Sequence, residues 1–362
     1  MSKETSAWLN QNTLIGFTDK RGSAWHYRAA DQADVPATTY PQATPIKLDD
    51  GTEVASNHYR NAVPVHDVNR RLFGWDVAVV EAAYNVADVL GVEAATWKPS
   101  ERKVAWIRDD TLAELGWFSP SAVVHPYRTW LVENTHRLAD ADLDIASAGL
   151  LKGGAQAWVS YEVPETLHTP QGVDFRPQLL ATTSMDGSLA TTYKRVTTLT
   201  VCDNTLAAAL REGKDQQIKI MHSKYSHMKI MDARDALRIV HQDADDFMAE
   251  VKALTEIEVS DKQWSQFLDA YVPVPEDKGR GRTMAEHKRE DLTQLWTSDL
   301  RAAPWKGTAW GVLQTANTWF HHKQVVRGAS RPERNMDNVL NGRTEKHDVE
   351  VITTLNKVLA TV

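Results

Sequence analysis

The stretch Ala148-Gly149-Leu150-Leu151-Lys152-Gly153-Gly154-Ala155-Gln156-Ala157-Trp158-Val159-Ser160-Tyr161-Glu162-Val163 decides the fold. With it goes the later run from Met185-Asp186-Gly187-Ser188 to Tyr193-Lys194-Arg195-Val196 and on through Val201-Cys202-Asp203-Asn204-Thr205-Leu206. Gly153-Gly154 and Asp186-Gly187 supply the positive φ angles that two-residue hairpin turns require. Between the turns the residues are β-branched or aromatic, the types that suit a pleated, half-buried surface. Four strands are expected, over Leu143–Leu151, Ala155–Val163, Phe175–Thr183 and Leu189–Val201. The proline- and glycine-bearing loop Pro164–Gly172 joins the second to the third. After Cys202, Asp203 or Asn204 is placed to cap a helix over Thr205–Arg211, which Gly213 closes.

Outward from this block, the chain reads as α+β: an antiparallel meander followed by helices, with a helical C-terminal region. Residues 1–60 read as an extended N-terminal arm, because Asp31–Thr52 carries three prolines and no periodicity. Residues 61–271 form the α+β core, 272–282 a Pro/Gly/charged linker, and 283–362 the helical region. Within the core, Val80, Ala83, Tyr84 and Ala87 at helical spacing predict a helix over Asp67–Leu90, stopped by Gly91. Lys103–Ile107 reads as a short strand, Tyr127–Leu138 as an amphipathic helix and Gln217–His222 as a further strand. Helices are expected over Met228–Glu258, Trp264–Tyr271, Thr283–Leu300, Val312–His322 and Asp348–Leu359, and a polar loop over Ser330–Asn341.

The 362 residues are enough for two domains or one large one, and 42% hydrophobic with 25% charged is ordinary for a soluble globular protein. No apolar run approaches the ~20 residues of a membrane span, and Met1-Ser2-Lys3-Glu4-Thr5-Ser6 leads into no signal-peptide core, so a cytoplasmic setting in a bacterial host is expected. A single cysteine, Cys202, excludes a disulfide framework and a cysteine-based zinc site, and reads as a small buried hydrophobe.

The net charge of −7 argues against a protein that coats DNA through its global charge. Its distribution is uneven. Residues 151–240 hold 11 Lys+Arg against 9 Asp+Glu, while the segments on either side are net acidic. Aromatics are interleaved with these cations. Lys152, Arg176, Lys194, Arg195, Lys219 and Lys224 are the candidates for phosphate contact, and Trp158 and Tyr193 for base stacking, the two components a single-strand binder needs. Consecutive on a strand, Lys194 and Arg195 face opposite sides, so only one of them can line a given groove. A second cluster, Lys278-Gly279-Arg280-Gly281-Arg282 with Lys288-Arg289, suits either a phosphate-contacting arm or a solubilising linker.

Catalytic signatures are sparse. There is no Gly-x-x-x-x-Gly-Lys-Ser/Thr loop, no Gly-x-Gly-x-x-Gly after a strand and no His-Glu-x-x-His. His321 and His322 point about 100° apart on a helix and cannot easily share a metal. Asp109-Asp110 and Asp245-Asp246 read as helix starts or solvated faces. No cofactor is expected. A metal-dependent nuclease stays open because its carboxylates can be scattered in sequence.

Several of these segments resemble a phage/plasmid-like family catalogued as domain of unknown function nine-three-two. Ala148–Trp158 is similar to its glycine turn with a following tryptophan, and Leu179–Ser188 to its Asp-Gly-Ser turn. Arg195-Val196 through Val201-Cys202-Asp203-Asn204-Thr205-Leu206 resembles its Arg-Val-Val-Cys-x-Asn-Thr-Leu signature, with Thr197–Thr200 as an insertion. Gly307-Thr308-Ala309-Trp310-Gly311 with Asn317 and His321 resembles its C-terminal segment. The resemblance spans about residues 60–330 and implies an origin in phages and plasmids. A meander followed by a helix is also similar, at the level of fold, to ring-forming annealers of the Red-beta and Erf type.

The expectation that follows is an ATP-independent protein of a phage or mobile element that binds and anneals single-stranded DNA in recombination. It would be a homo-oligomer, as a ring or filament, with no membrane partner. An oligomeric interaction or regulatory protein of a mobile element is the alternative.

Overall fold

The computed structural model describes residues 12–17, 36–47, 50–135, 143–162, 165–199, 205–206, 217–223, 226, 240–328 and 331–360. Its class is α+β, with the sheets in the N-terminal half and the helices after them. Strands β1 (Thr13–Ile15), β2 (Ala43–Lys47) and β3 (Glu53–Tyr59) precede helix α1 (Val65–Arg71). A long hairpin follows, made of β4 (Val77–Asn85), the short helix α2 (Ala87–Leu90) and β5 (Trp97–Arg108). With β6 (Glu114–Phe118) it forms a three-stranded sheet. Then come β7 (Asp144–Leu151), β8 (Gln156–Glu162), β9 (Leu167–His168), β10 (Asp174–Ser184), β11 (Thr191–Leu199), β12 (Thr205–Leu206) and β13 (Gln217–Ile220).

The large sheet has the order β12-β11-β10-β8-β7-β1-β3-β2, with β13 also on β11 and β9 on β10. Its described ladders are antiparallel except at Ile15 and His58, where β1 and β3 run parallel. Side-chain alternation divides its two faces. Tyr161 and Val159 of β8, Leu179 and Ala181 of β10 and Tyr193 of β11 bury one face against Trp130 and Leu131, which lie on a π-helical turn at Arg128–Glu133. Trp158, Leu180 and Val196 occupy the other face, with Leu151.

The second half is helical: α3 (Val240–Glu256), α4 (Asp261–Tyr271), α5 (Arg280–Ser298), α6 (Ala309–Thr318), α7 (Arg331–Leu340) and α8 (Arg343–Leu359). A capping box starts α4, in which Ser260 accepts from the Gln263 backbone while the Gln263 side chain accepts from the Ser260 backbone. Thr308 caps α6 after Gly307, whose φ is 88°. Phe247, Val251, Trp264, Phe267, Trp296, Trp310 and Val351 form the helical core, and Phe175 of the sheet joins it. Met336, Val339 and Leu340 of α7 seal the Trp158 face of the sheet.

The meander lies where the sequence places it, but its turns are longer than two residues. Leu151 pairs with Gln156, leaving four residues between, and Gly153 and Gly154 take φ of 66° and 99° within them. Six residues separate β10 from β11, because Met185 folds inward, is 1% exposed and donates its N–H to the Ala155 carbonyl. Asp67–Leu90 is not one helix. After α1 the chain becomes β4, where Val79, Val80 and Tyr84 are exposed on a two-sided ribbon, so their helical spacing reports no buried face. Thr205–Leu206 pairs with β11 as a strand instead of opening a helix, and the rest of that expected helix lies outside the described residues. Ser330–Asn341 is not a loop. Its few apolar residues fall at Met336, Val339 and Leu340, three and one apart, enough to dock α7. Residues 1–60, read as an arm, supply strands β1, β2 and β3.

Two consequences can be measured. A Cβ on Gly149 would stand 2.1 Å from the Trp158 ring. Gly149→Ala is therefore expected to cost about 1–3 kcal/mol of stability in urea unfolding, the usual range for overpacking. Burial, with repulsion from the nearby His322 and His347 imidazoles, pushes the His321 imidazole down to about 3, and burial pushes His347 down to about 4. Above about pH 6.5 both rings are neutral in the folded and the unfolded chain. Below it the unfolded chain takes up protons that the folded chain refuses, so stability falls as the pH is lowered toward 4, by about 1.4 kcal/mol per pH unit for each fully mismatched ring. Urea midpoints measured at pH 7 and pH 4.5 should show this loss, and His321→Asn should reduce it.

Candidate nucleic-acid interface

The site is built around one strand. β11 carries Lys194 on the face covered by α7, and the Lys194 side chain is 8% exposed. Its ammonium donates to the Val339 carbonyl at the C-terminal end of α7 and, at 2.6 Å, to Glu345 in the first turn of α8. The negative end of the α7 dipole and a carboxylate therefore share one buried cation. Thr192 pairs with Lys219 of β13, and Lys194 with Gln217. Lys219 is thus the diagonal neighbour of Lys194 on the same face, and it is exposed.

Between this strand edge, the β10–β11 connection and the α7–α8 turn lies a cleft of about 950 Å³. Lys194, Arg195, Lys219 and Lys346 line it, against the single carboxylate of Glu345. Gly187 and Gly342 turn the two bordering loops with φ of 76° and 67°. Ser188, Thr192 and Asn341 bring hydrogen-bonding groups to the wall, while Phe118, Leu189 and the well-exposed Met221 bring apolar surface. Behind Phe118, Trp106 stacks at 3.8 Å between ring centroids.

His222 also lines the cleft, and in the neutral ring its partners fix the tautomer. The Val123 carbonyl can only accept, so Nδ1 donates to it at 3.2 Å, and Nε2 accepts from the Thr183 hydroxyl at 3.1 Å. Thr183 in turn accepts from Thr191 at 2.8 Å, and Thr191 from His125 Nδ1 at 2.6 Å. The His222, His125 and Trp130 rings form a stack, with centroid spacings of 4.0 and 3.8 Å. Burial lowers the His222 pKa from its ordinary value and holds the ring neutral.

Of the eight nominated residues, Lys194, Arg195 and Lys219 border this cleft. Arg195 follows Lys194 on the strand, on the opposite face. The others do not join them. Lys152 stands at the β7–β8 turn, half exposed and 3.8 Å from Asp186. Arg176 is buried within the sheet, paired with Glu162 at 3.1 Å and bonded to Thr166. Trp158 is 3% exposed beneath α7, and Tyr193 is 1% exposed with its hydroxyl donating to the Trp130 carbonyl, so neither offers a ring to a base. Lys224 lies outside the described residues. Sequence reading missed Lys346, Met221 and Phe118. Lys346 is brought in by a helix 150 positions downstream, and Phe118 by the smaller sheet. Of the second cluster, Arg282 pairs with Glu286 and Arg289 with Asp269, while Lys288 lies over the Tyr271 and Trp319 rings. Among the described residues no three of His, Cys, Asp and Glu stand where one metal ion could join them, and no helix is long and apolar enough to cross a membrane.

A family model described as a domain of unknown function, DUF932, matches residues 116–341, and the chain belongs to that family. The match takes in most of the cleft lining but stops short of Glu345 and Lys346, and it begins after the β4–β5 hairpin. No curated protein and no solved structure matches the chain.

Lys194→Met would take away the ammonium that Val339 and Glu345 share. It is expected to cost about 2–4 kcal/mol in urea unfolding, with the loss held below the ~3–5 kcal/mol of a fully buried pair by the 35% exposure of Glu345. Glu345→Gln, which keeps an acceptor for the ammonium, should cost less than half as much.

Proposed function

We propose that this DUF932 protein binds single-stranded nucleic acid in the cleft beside β11 and acts, without ATP, in strand annealing during recombination of a phage or other mobile element. The observation that carries the reading is the placing of two exposed cations, Lys219 and Lys346, beside the Lys194–Glu345 pair at one cleft, with Arg195 at its border, in a chain whose net charge is −7. A local excess of cations in an acidic protein draws a polyanion to one place and away from the rest of the surface.

The dimensions favour a single strand. A volume of about 950 Å³ is near the top of the ~300–1,000 Å³ that holds small ligands, and it leaves no room for the width of a duplex. Lys219 and Lys346, both exposed, are free to follow phosphates, while Lys194 holds the wall in place. With Trp158 and Tyr193 buried, the apolar contact for bases falls to Met221 and to Phe118, which Trp106 backs. Annealing needs most bases to remain available for pairing, and contacts made chiefly to the backbone, with a base or two against this apolar surface, leave them so. The absence of a phosphate-cradling loop from the sequence fits a process driven by binding energy alone.

Gel shifts with single- and double-stranded oligonucleotides across a salt series test the reading. Wild-type protein is expected to prefer the single strand, with log K falling linearly against log salt. Lys219→Glu with Lys346→Glu should weaken binding at least tenfold at low salt and reduce the slope by about 1.4, or about 0.7 for each phosphate that is no longer neutralised. Binding that ignores salt, or that the double substitution leaves intact, overturns it.

A further inference from the structure

The outer part of the β4–β5 hairpin, from Val79 to Lys103, does not line the cleft, and it concentrates exposed apolar side chains. Of the sixteen large apolar side chains exposed among the described residues, seven lie between Val79 and Trp97, with Val89 at 87% and Trp97 at 65%. Solitary exposed apolar side chains are ordinary, but a concentration on one projecting element marks a contact surface. β4 is also an open edge. β5 pairs along one side of it, and no other strand pairs with it among the described residues. The opposite edge of the small sheet is closed, since Gly116 of β6 lies against the Met185 carbonyl and Asp186. Natural proteins blunt a long edge with charge, proline, a bulge or cover; β4, Val77-Ala78-Val79-Val80-Glu81-Ala82-Ala83-Tyr84-Asn85, has no lysine or proline, one charge at Glu81, and is exposed over most of its length from Val79.

The charges on the hairpin are sorted along its length. The tip, residues 86–96, carries Asp88 and Glu93 and no cation. Between Pro99 and Val104, opposite Ala83 and Glu81, β5 bulges through Ser100-Glu101-Arg102-Lys103, and Lys98 precedes it. These three cations and the two tip carboxylates are exposed, and they make no ion pair among the described residues.

We infer that the β4–β5 hairpin is a self-association arm, and that two copies of this chain pair β4 edge to β4 edge, antiparallel about a two-fold axis near Tyr84. This arrangement lays the acidic tip of each arm over the basic bulge of the other and keeps the two Glu81 carboxylates apart. It satisfies the free backbone groups of both edges and covers the apolar residues together. Each arm is about 30 Å long at ~3.3 Å per residue, long enough for the two β4 edges to pair along their length. The arm alone could also stroke a nucleic acid with Lys98, Arg102 and Lys103, but Val89, Leu90 and Val92 beside two carboxylates would then repel it at the tip. Pairing through the arm is independent of what the cleft binds.

Charge exchange tests it. Sedimentation of the full chain at micromolar concentration and low salt should show a dimer or a larger assembly. Asp88→Lys with Glu93→Lys should weaken association at least tenfold, and so should Arg102→Glu with Lys103→Glu. An equimolar mixture of the two variants should regain it, since each tip then meets an opposite charge. Val89→Asp should dissociate the wild-type pair without any change at the bulge. A monomeric wild type, variants that associate as before, or a mixture that does not recover overturns the inference. So does a pair of variants that stay associated but lose oligonucleotide binding, which would assign the arm to nucleic acid instead.

Discussion

The architecture hangs on the buried ammonium of Lys194. A lysine in the interior is costly unless its charge is met, and here it is met from two elements remote in sequence. The carbonyl end of α7 and the carboxylate of Glu345 on α8 both close on it. That one group fixes the α7–α8 turn against β11. With the turn in place, Val339 and Leu340 lie over Trp158 and Leu180, and the sheet gains its second buried face. The cleft follows from the same bond, because its far wall is the turn that Lys194 holds. Without that anchor the cleft would have Lys219 on one side and open solvent on the other.

The buried polar groups of the sheet work in a similar way. Arg176 and Gln178 both bond Glu162, and Ser160 donates to Gln178, so a carboxylate deep in the sheet has its acceptor sites filled. A network so nearly satisfied specifies the register of β8 against β10 more tightly than apolar contacts alone. The recognisable family residues belong largely to this structural class. Gly149 makes room for the Trp158 ring, and Gly311 lets α6 approach the Trp305 carbonyl. Asn317 and His321 lie inside the helical region. These residues report how the chain packs and not what it binds.

The meander was legible because its residues alternate and its glycines take left-handed angles that few other residues accept. The turn lengths were not, since Met185 is drawn inward by a core that no local pattern announces. β4 was misread for a related reason. A ribbon exposed on both faces has no buried stripe, so periodicity had nothing to report, and chance spacing looked helical. α7 was hidden by its polarity, for a helix that docks through three side chains needs little apolar content. At the cleft, Lys194, Arg195 and Lys219 could be nominated from charge on adjacent strands. Lys346 could not, because only the Lys194 anchor brings α8 beside β11. Arg176 was nominated for its charge, yet its partner, Glu162, lies fourteen positions earlier on the neighbouring strand.

The row of hydrogen bonds behind His222 has a polarity. Starting from His125, and with the His222 ring neutral, each group gives in one direction only, through two threonine hydroxyls to His222 and on to the Val123 carbonyl. A proton added to His222 Nε2 would leave the Val123 bond as it is and reverse the links through Thr183 and Thr191 to His125, so the row resists protonation of that ring. The charged groups at the cleft are Lys219, Lys346, Arg195 and the Lys194–Glu345 pair. A polyanion held there would answer to ionic strength, because it would displace salt ions from these side chains.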